Sequence, residues 1–147
     1  MKSLKKLFAM YVTACCGVLL AGCASGPRFA EAKGSIPQVS ADNGRIYFYR
    51  TAVVGAAVQP TVKLNDEQIG TAQPKGFFYA DRPPGNYHVD TTTEVKRRLS
   101  LTLDKGQTRY VRLNISLGFF VGHIYPELVD DPTGEKEITK CKYTGGK

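Results

Sequence analysis

The fold of this chain is decided by the stretch Tyr110-Val-Arg-Leu-Asn-Ile-Ser-Leu117. Apolar side chains occupy every second position of this stretch, and tyrosine or polar side chains stand between them. Because successive side chains of a strand point to opposite faces, a period of two is typical of a strand with one buried face. The stretch therefore predicts an antiparallel sheet that covers a core on one side.

The same alternation recurs on the N-terminal side of that stretch. It is present in Leu99-Ser-Leu-Thr-Leu103 and in Gly44-Arg-Ile-Tyr-Phe-Tyr-Arg50. No window after the N-terminal segment shows an apolar stripe with a helical period. The expected fold class is therefore all-β, a small antiparallel β-sandwich.

Turn residues separate the predicted strands. Asn65-Asp66 tolerates left-handed backbone, Pro84-Gly85 suits the centre of a type II turn, and Gly106 supplies the positive φ of a short hairpin. Asp131-Pro132-Thr133-Gly134 indicates a further break. Strands at this spacing, with turns between them, favour the sandwich.

Tyrosine is frequent in the chain, with eight residues and no tryptophan. Tyr47, Tyr49 and Tyr110 alternate with the predicted core positions, so we expect them to face outward or to meet a second layer. An exposed row of tyrosines could stack on sugar or bind a partner. Packing against cross-strand neighbours is the favoured interpretation.

The N-terminal segment has the parts of a secretory signal. Lysines occur among its first six residues, an apolar run follows to residue 20, and small residues end it. The run is shorter than the about 20 apolar residues of a membrane-spanning helix. The final residues Leu20, Ala21, Gly22 and Cys23 resemble the bacterial lipobox. The alternative is an ordinary signal peptide that is followed by a cysteine by coincidence.

The lipobox resemblance implies a defined chemistry at Cys23. Residues 1–22 would be cleaved, a diacylglycerol would join the cysteine sulfur by a thioether, and a fatty acid such as palmitate would acylate the new amine. Ala24 follows the cysteine instead of the Asp that resembles an inner-membrane retention signal. We therefore expect a lipid anchor in the outer membrane, facing the periplasm.

The remaining chain is long enough for one domain and too short for two. Residues 23–43 show no strand or helical period and contain Gly26, Pro27, Gly34 and Pro37, so they predict a lipidated cysteine followed by a flexible linker. Residues 44–140 predict the β-sandwich domain. Residues 141–147 predict a disordered tail.

The four cysteines do not form a disulfide framework. Cys15 and Cys16 leave with the signal peptide and Cys23 carries lipid, which leaves Cys141 without an intramolecular partner. An odd cysteine in an exported protein indicates a free thiol or an intermolecular bond. A tolerated tail cysteine is the favoured interpretation.

The charge of the chain is basic, with a formal net charge of +7, but the basic residues are scattered. The two clusters are Lys96-Arg97-Arg98 and Lys140-Cys141-Lys142. A nucleic-acid-binding protein shows a basic stripe with interleaved aromatic residues, so we expect no nucleic-acid partner. The first cluster is read as a solvated strand end, with weak contact to anionic lipid or polysaccharide as the functional alternative.

Several segments together resemble a known bacterial family. They are Gly44–Arg50, Val62–Gly70, Gly76–Tyr87, Gln107–Leu113, Gly118–Gly122 and Glu127–Asp130. They are similar to domain of unknown function 2846, whose members are mostly short envelope lipoproteins, and the resemblance extends from about Gly44 to Ile138. The middle section also resembles the PEGA repeat, which implies a small β-sandwich. The resemblance implies no catalytic chemistry.

Candidate metal-binding and nucleophilic residues are few. His88 and His123 are the two histidines, and neither has the spacing of a zinc site, nor does the chain contain CxxC. There is no G-x-S-x-G nucleophile motif, and Ser100 and Ser116 fall on predicted outer faces. We expect no metal, no cofactor and no enzymatic activity.

Four neighbouring acidic residues and a glycine-containing segment are the other candidates for a site. Asp130, Asp131, Glu135 and Glu137 could hydrolyse a glycoside or hold calcium, but we expect them to solvate a loop and protect an edge strand. Gly118-Phe-Phe-Val-Gly122 has the wrong spacing and bulk for a phosphate loop. It is expected to close the core.

Three functions remain from different classes. The first is a lipid-anchored, non-catalytic module that binds an envelope protein. The second is a glycan-binding module for peptidoglycan or lipopolysaccharide, and the third is a small hydrolase with an unrecognised site. Since no catalytic constellation is evident, the first is the favoured prediction.

Overall fold

The computed structural model describes residues 22–92, 97–117 and 122–145. The predicted signal segment up to Ala21, with Leu20 and Ala21 of the lipobox, lies outside the described residues. Lys96, most of the segment Gly118–Gly122 and the last two residues also lie outside them.

Within the described residues, nine strands form two sheets that face each other. The five-stranded sheet has the order β8-β7-β1-β4-β9 and the four-stranded sheet the order β3-β2-β5-β6. The five-stranded sheet contains β1 (Gly44–Tyr49), β4 (Gly76–Arg82), β7 (Thr108–Leu117), β8 (Gly122–Val129) and β9 (Lys142–Tyr143). The four-stranded sheet contains β2 (Thr61–Leu64), β3 (Glu67–Thr71), β5 (Gly85–Thr91) and β6 (Leu99–Leu103).

The core between the sheets is built from the alternating apolar residues. Leu101 and Leu103 of the four-stranded sheet and Val111 and Leu113 of the five-stranded sheet are buried in one cluster. Ser100 and Thr102 point away from it and are exposed. The all-β sandwich is therefore confirmed, and so is the face that each of these alternating strands buries.

The predicted antiparallel pairing holds throughout the four-stranded sheet, whereas the five-stranded sheet is mixed. β1 pairs with β7 in parallel, with Arg45 opposite Thr108 and Tyr49 opposite Arg112. β4 and β9 are also parallel. The chain leaves the four-stranded sheet after β6 and crosses to β1, and side-chain alternation carries no information about strand direction.

A second layer covers the outer face of the five-stranded sheet. Helix α1 (Phe29–Ala32) and helix α2 (Asp131–Ile138) lie over this face. Every residue of β1 is buried, because the sandwich core covers one face of the strand and this layer covers the other. Neither helix of the described ranges has the length and apolar character that a membrane span needs.

The three tyrosines of the predicted row are buried inside the protein and are not exposed at its surface. Tyr47, Tyr49 and Tyr110 are at most 8% exposed, and the rings of Tyr47 and Tyr110 stack with centroids 5.5 Å apart. Burial raises the pKa of Tyr110 to about 12. The expectation that these tyrosines pack is confirmed, and an outward stacking row is excluded for all three.

The flexible linker predicted for residues 23–43 is wrong over its first half. Phe29, Ala32 and Ile36 pack against the aromatic layer, and Ala24 is buried. These apolar residues follow the i, i+3, i+7 spacing of a helical face, a short signal that the glycines and prolines around it obscured.

The predicted tail is also part of the domain. Cys141 is fully buried, its Sγ lies 3.5 Å from Arg50 O, and β9 pairs with β4. Burial raises the pKa of the Cys141 thiol to about 11. The predicted disordered tail from residue 141 is therefore wrong, and Cys141 is a core residue and not a tail cysteine, because Cys141 and Tyr143 pack in the cluster that contains Phe77 of β4.

The predicted break at residues 131–134 begins α2 instead. Asp130 caps the helix by accepting the Thr133 N–H at 2.9 Å, and Pro132 stands in the first turn, where its missing N–H is tolerated. Gly134 lies against the Tyr110 ring, and a Cβ there would collide with it. Residues typical of turns thus form a helix because the glycine permits close packing.

Of the three remaining turn predictions, two are confirmed and one is wrong. Asn65 and Asp66 have φ of 48° and 68°, and Gly106 has φ of 72°, so both of these turns are confirmed. Gly85 is the first residue of β5 and has no positive φ, so the type II turn at Pro84-Gly85 is wrong.

Leu113→Ala is expected to lower the free energy of unfolding by about 2–5 kcal/mol, because its side chain is 2% exposed and its removal leaves a cavity between the sheets. Urea denaturation of the purified protein measures the change. Ser100→Ala, on the exposed side of β6, is the control and should stay within about 0.5 kcal/mol of the parent. A Leu113→Ala midpoint equal to that of Ser100→Ala would contradict this packing.

Candidate functional site

The chain packs against the folded domain immediately after Cys23. Cys23 is exposed, whereas the next residue, Ala24, is buried and its N–H donates to Pro74 O at 3.0 Å. Phe29 N–H donates to Cys141 O at 3.1 Å. The predicted lipid-attachment residue therefore lies directly at the domain surface, and no flexible linker separates it from the folded residues that follow.

A basic pocket adjoins Cys23. Its volume is about 360 Å³. The residues that line it are Cys23, Ala24, Arg28, Lys75, Thr139, Lys140 and Lys142, none of them acidic. They come from the N-terminal segment, from the loop before β4 and from the chain after α2, which the β9 pairing brings together. Lys140 and Lys142 form a cluster in the sequence, but no local pattern joins Lys75 and Arg28 to them.

A buried arginine organises the loop beside this region. Arg50 is fully buried, and its guanidinium donates to four backbone carbonyl oxygens. Nη1 donates to Val58 O at 2.7 Å and Ala72 O at 2.9 Å, and Nη2 donates to Val54 O at 2.8 Å and Gly55 O at 3.0 Å. Within the described ranges it has no carboxylate partner.

The charge of Arg50 is held by oriented carbonyl dipoles and not by an ion pair. Burial lowers the pKa of the Arg50 guanidinium, but arginine keeps its proton under all ordinary conditions. From the sequence, Arg50 was only the end of a strand, because its four acceptors are backbone carbonyl oxygens, which every residue carries.

His88 lies near two carboxylates that its sequence spacing conceals. His88 Nε2 is 3.7 Å from Asp66 Oδ2 and 3.9 Å from Asp90 Oδ2. Asp66 comes from the turn between β2 and β3, which β2–β5 pairing places beside His88. The ligand atoms of all three residues lie within 4.8 Å of one another, so they form a potential cation-binding group.

One member of this group is already paired. Asp90 accepts two hydrogen bonds from Arg98, at 3.1 and 3.0 Å, and these bonds raise the pKa of Arg98. A cation would compete with a guanidinium for this carboxylate, and Asp66 is exposed to solvent. The group is therefore a poor ligand set compared with a closed metal site.

The other predicted residues are dispersed. His123 lies opposite Ser116 in the β7–β8 pair, and its Nδ1 finds no hydrogen-bond partner within the described part of the chain. Ser100 and Ser116 are exposed on strand faces, as expected. The structure places His123 and Ser116 on paired strands of one sheet and Ser100 in the other sheet.

Two of the four carboxylates, Asp130 and Glu137, have hydrogen-bond partners in the domain. Thr133 binds Asp130 through its N–H and its hydroxyl, and these bonds lower the pKa of Asp130. Asp131 stands in the first turn of α2. Glu137 accepts from Tyr49 Oη at 2.8 Å and from Arg112 Nη1 at 2.9 Å. Glu135 is exposed on α2, so the expectation of a solvated loop is corrected to a capped helix.

Comparison with known proteins gives a family and one relative. Residues 40–124 match the family model described as Protein of unknown function (DUF2846). A protein of Haemophilus influenzae with the description "Uncharacterized protein" is 28% identical to this chain over 141 residues, which are 92% of this chain and 84% of the relative. The family match covers the strands from β1 to the start of β8 and ends before α2 and β9.

Proposed function

Because the chain belongs to the family described as Protein of unknown function (DUF2846), we propose that it is a lipid-anchored, non-catalytic protein of the cell envelope whose domain binds a protein partner. Its anchor is lipid on Cys23, and its place is the periplasmic side of the outer membrane. The observation that carries the binding role is the open outer face of the four-stranded sheet.

Two observations support the anchor. The sequence Leu20-Ala-Gly-Cys23 resembles a lipobox, and the Cys23 side chain is exposed where the folded domain begins. A modified cysteine needs room for a diacylglycerol and an acyl chain, and this position provides it. Cys141, by contrast, is enclosed within the domain.

The open face supports a binding role. Both helices of the described ranges contact strands of the five-stranded sheet, so the opposite outer face of the sandwich is left for solvent. Exposed polar residues occupy it, including Asn86, Ser100 and Thr102. Thr102 Oγ1 donates to Asn86 Oδ1 at 2.8 Å, which fixes both side chains before any partner arrives.

The same face favours a protein partner over a glycan. Sugar-binding surfaces use aromatic side chains as stacking platforms, and Tyr47, Tyr49 and Tyr110 are buried on the other sheet. A polar sheet face with edge strands on both sides suits a protein that adds hydrogen bonds or a strand.

Site-specific cross-linking in intact cells tests this role. A photoreactive amino acid replaces Ser100 on the open face, or Lys136 on exposed α2 as the matched control. We expect one discrete protein adduct from position 100 after irradiation and none of that size from position 136. Mass spectrometry identifies the trapped protein.

The alternatives give different products. An adduct from position 100 that collapses after digestion with a muramidase would support the glycan-binding function instead. Identical adducts from both positions, or no adduct from position 100, would contradict a binding role for the open face.

A further inference from the structure

We propose that the surface around Cys23 is a membrane-binding face that contacts anionic phospholipid head groups. This face consists of Cys23, the basic pocket beside it and the loop of residues 51–59. The inference rests on the proposed lipid anchor and goes beyond it, because it fixes which side of the domain meets the bilayer.

The short distance between anchor and domain limits the possible orientations. Ala24 is held by Pro74 O, and Gly26 lies so close to Tyr143 O that any side chain there would collide with it. Lipids on Cys23 thus enter the bilayer immediately beside the folded surface. Whatever surrounds Cys23 is carried to the head-group region.

The surrounding charge is positive. Arg28, Lys75, Lys140 and Lys142 line the pocket next to Cys23, which has no acidic lining residue. Each Lys or Arg that reaches an anionic membrane surface strengthens binding by about fivefold. Four such residues around one anchor match the phosphates of acidic phospholipids.

An apolar loop also adjoins the anchor. Val53 and Val54 are 48% and 59% exposed, and they are the large apolar side chains that the described ranges leave most open to solvent. The loop touches the residue before Cys23, since Gln59 Nε2 donates to Gly22 O at 3.0 Å and also to Ala56 O at 2.9 Å. Exposed valines on a loop that contacts the residue before Cys23 are suited to the boundary between head groups and hydrocarbon.

Processing leaves the Gln59 contact possible. Cleavage removes Gly22, and acylation of the Cys23 amine then places a fatty-acyl carbonyl where the Gly22 carbonyl stood in the peptide bond. Gln59 Nε2 can donate to this new carbonyl in the same way. The loop would then hold the first atoms of the amide-linked chain.

Arg50 gives this loop a fixed shape. Its bonds to Val54 O, Gly55 O and Val58 O direct the loop carbonyls inward. With its carbonyls bonded inside the domain, the loop tip can enter an apolar environment without unsatisfied acceptors at those three positions.

The experiment uses the acylated protein, reconstituted into vesicles of phosphatidylcholine alone or of phosphatidylcholine with phosphatidylglycerol. An environment-sensitive dye is placed on Val54→Cys or, as the control on the open sheet face, on Thr102→Cys. Flotation of the vesicles reports the anchor, and quenching of the dye by a quencher-bearing lipid reports the orientation. Buried Cys141 and acylated Cys23 do not take the dye.

We expect the dye at position 54 to be quenched about tenfold more than the dye at position 102 in the anionic vesicles. The double variant Lys140→Glu/Lys142→Glu should reduce quenching at position 54 by at least about fivefold there. Lys63→Glu/Lys105→Glu, with the same change of charge away from Cys23, should leave it unchanged.

Three outcomes would overturn the proposal. Equal quenching at positions 54 and 102 in protein that floats would reject the membrane-binding face while the anchor stands. Equal effects of the two charge reversals would reject the head-group contact. Protein that does not float with the vesicles would reject the anchor, and the face with it.

Discussion

The Cys23→Ser protein is expected to carry no fatty-acid label and either to accumulate as the larger unprocessed chain or to leave the membrane fraction. The hydroxyl of serine does not replace the thiol in thioether formation, so the later steps do not follow. Each buried methylene of an acyl chain contributes about 0.8 kcal/mol, and two chains anchor a protein stably. Loss of the lipids therefore removes the stable anchor.

Metabolic labelling with an alkyne fatty acid, followed by fractionation and gel mobility, measures this effect. Cys141→Ala is the matched control, because it removes the other cysteine of the folded domain, which is buried. It should keep the label, the mobility and the membrane fraction of the parent. A Cys23→Ser protein that is labelled and fractionates like the parent would end the lipobox interpretation.

Arg50→Met is expected to lower the free energy of unfolding by about 3–5 kcal/mol, against a total of about 5–15 kcal/mol for a typical domain. Methionine fills much of the volume but leaves the carbonyls of Val54, Gly55, Val58 and Ala72 without their donor. Hydrogen bonds to charged groups contribute about 1.5–3 kcal/mol each, so partial solvation of the loop does not restore the loss.

Two further variants separate charge from geometry. Arg50→Lys keeps the cation but not the planar arrangement of donors, so it should fall between the parent and Arg50→Met. Arg98→Met, at an exposed ion pair with Asp90, should leave the urea midpoint close to that of the parent, because exposed ion pairs contribute little to stability. Urea denaturation compares the four proteins. A loss of stability in Arg50→Met as small as that in Arg98→Met would refute the role of the four carbonyl contacts of Arg50.

The sequence predicted the strands and their buried faces, because alternation is a local property. Leu101 and Leu113 could be assigned to the core from their neighbours alone. The parallel pairing of β1 with β7 could not be predicted, since it depends on which sheet the chain enters after β6. The second layer was missed for a related reason: Phe29, Ala32 and Ile36 form a face too short to stand out from the prolines around it.

For the candidate sites, too, only residues that are contiguous in the sequence could be predicted. Cys23 was recognisable because its motif is contiguous in the chain. The basic pocket joins Arg28, Lys75 and Lys142 from three distant segments, and no local pattern relates them. Asp66 reaches His88 only through strand pairing, and Arg50 binds backbone oxygens that any sequence would supply.

The two ends of the described domain close on each other, and this contact sets an order of events. The backbones of Arg28 and Lys142 form an isolated antiparallel β-bridge, and Tyr143 N–H donates to Pro27 O at 2.8 Å. Because Lys142 and Tyr143 are synthesised long after Cys23, the segment that follows Cys23 lacks these docking partners until they emerge. Under the proposed lipidation of Cys23, the modifying enzyme therefore has access to this residue before β9 arrives, and the pairing of β9 then closes the segment behind it.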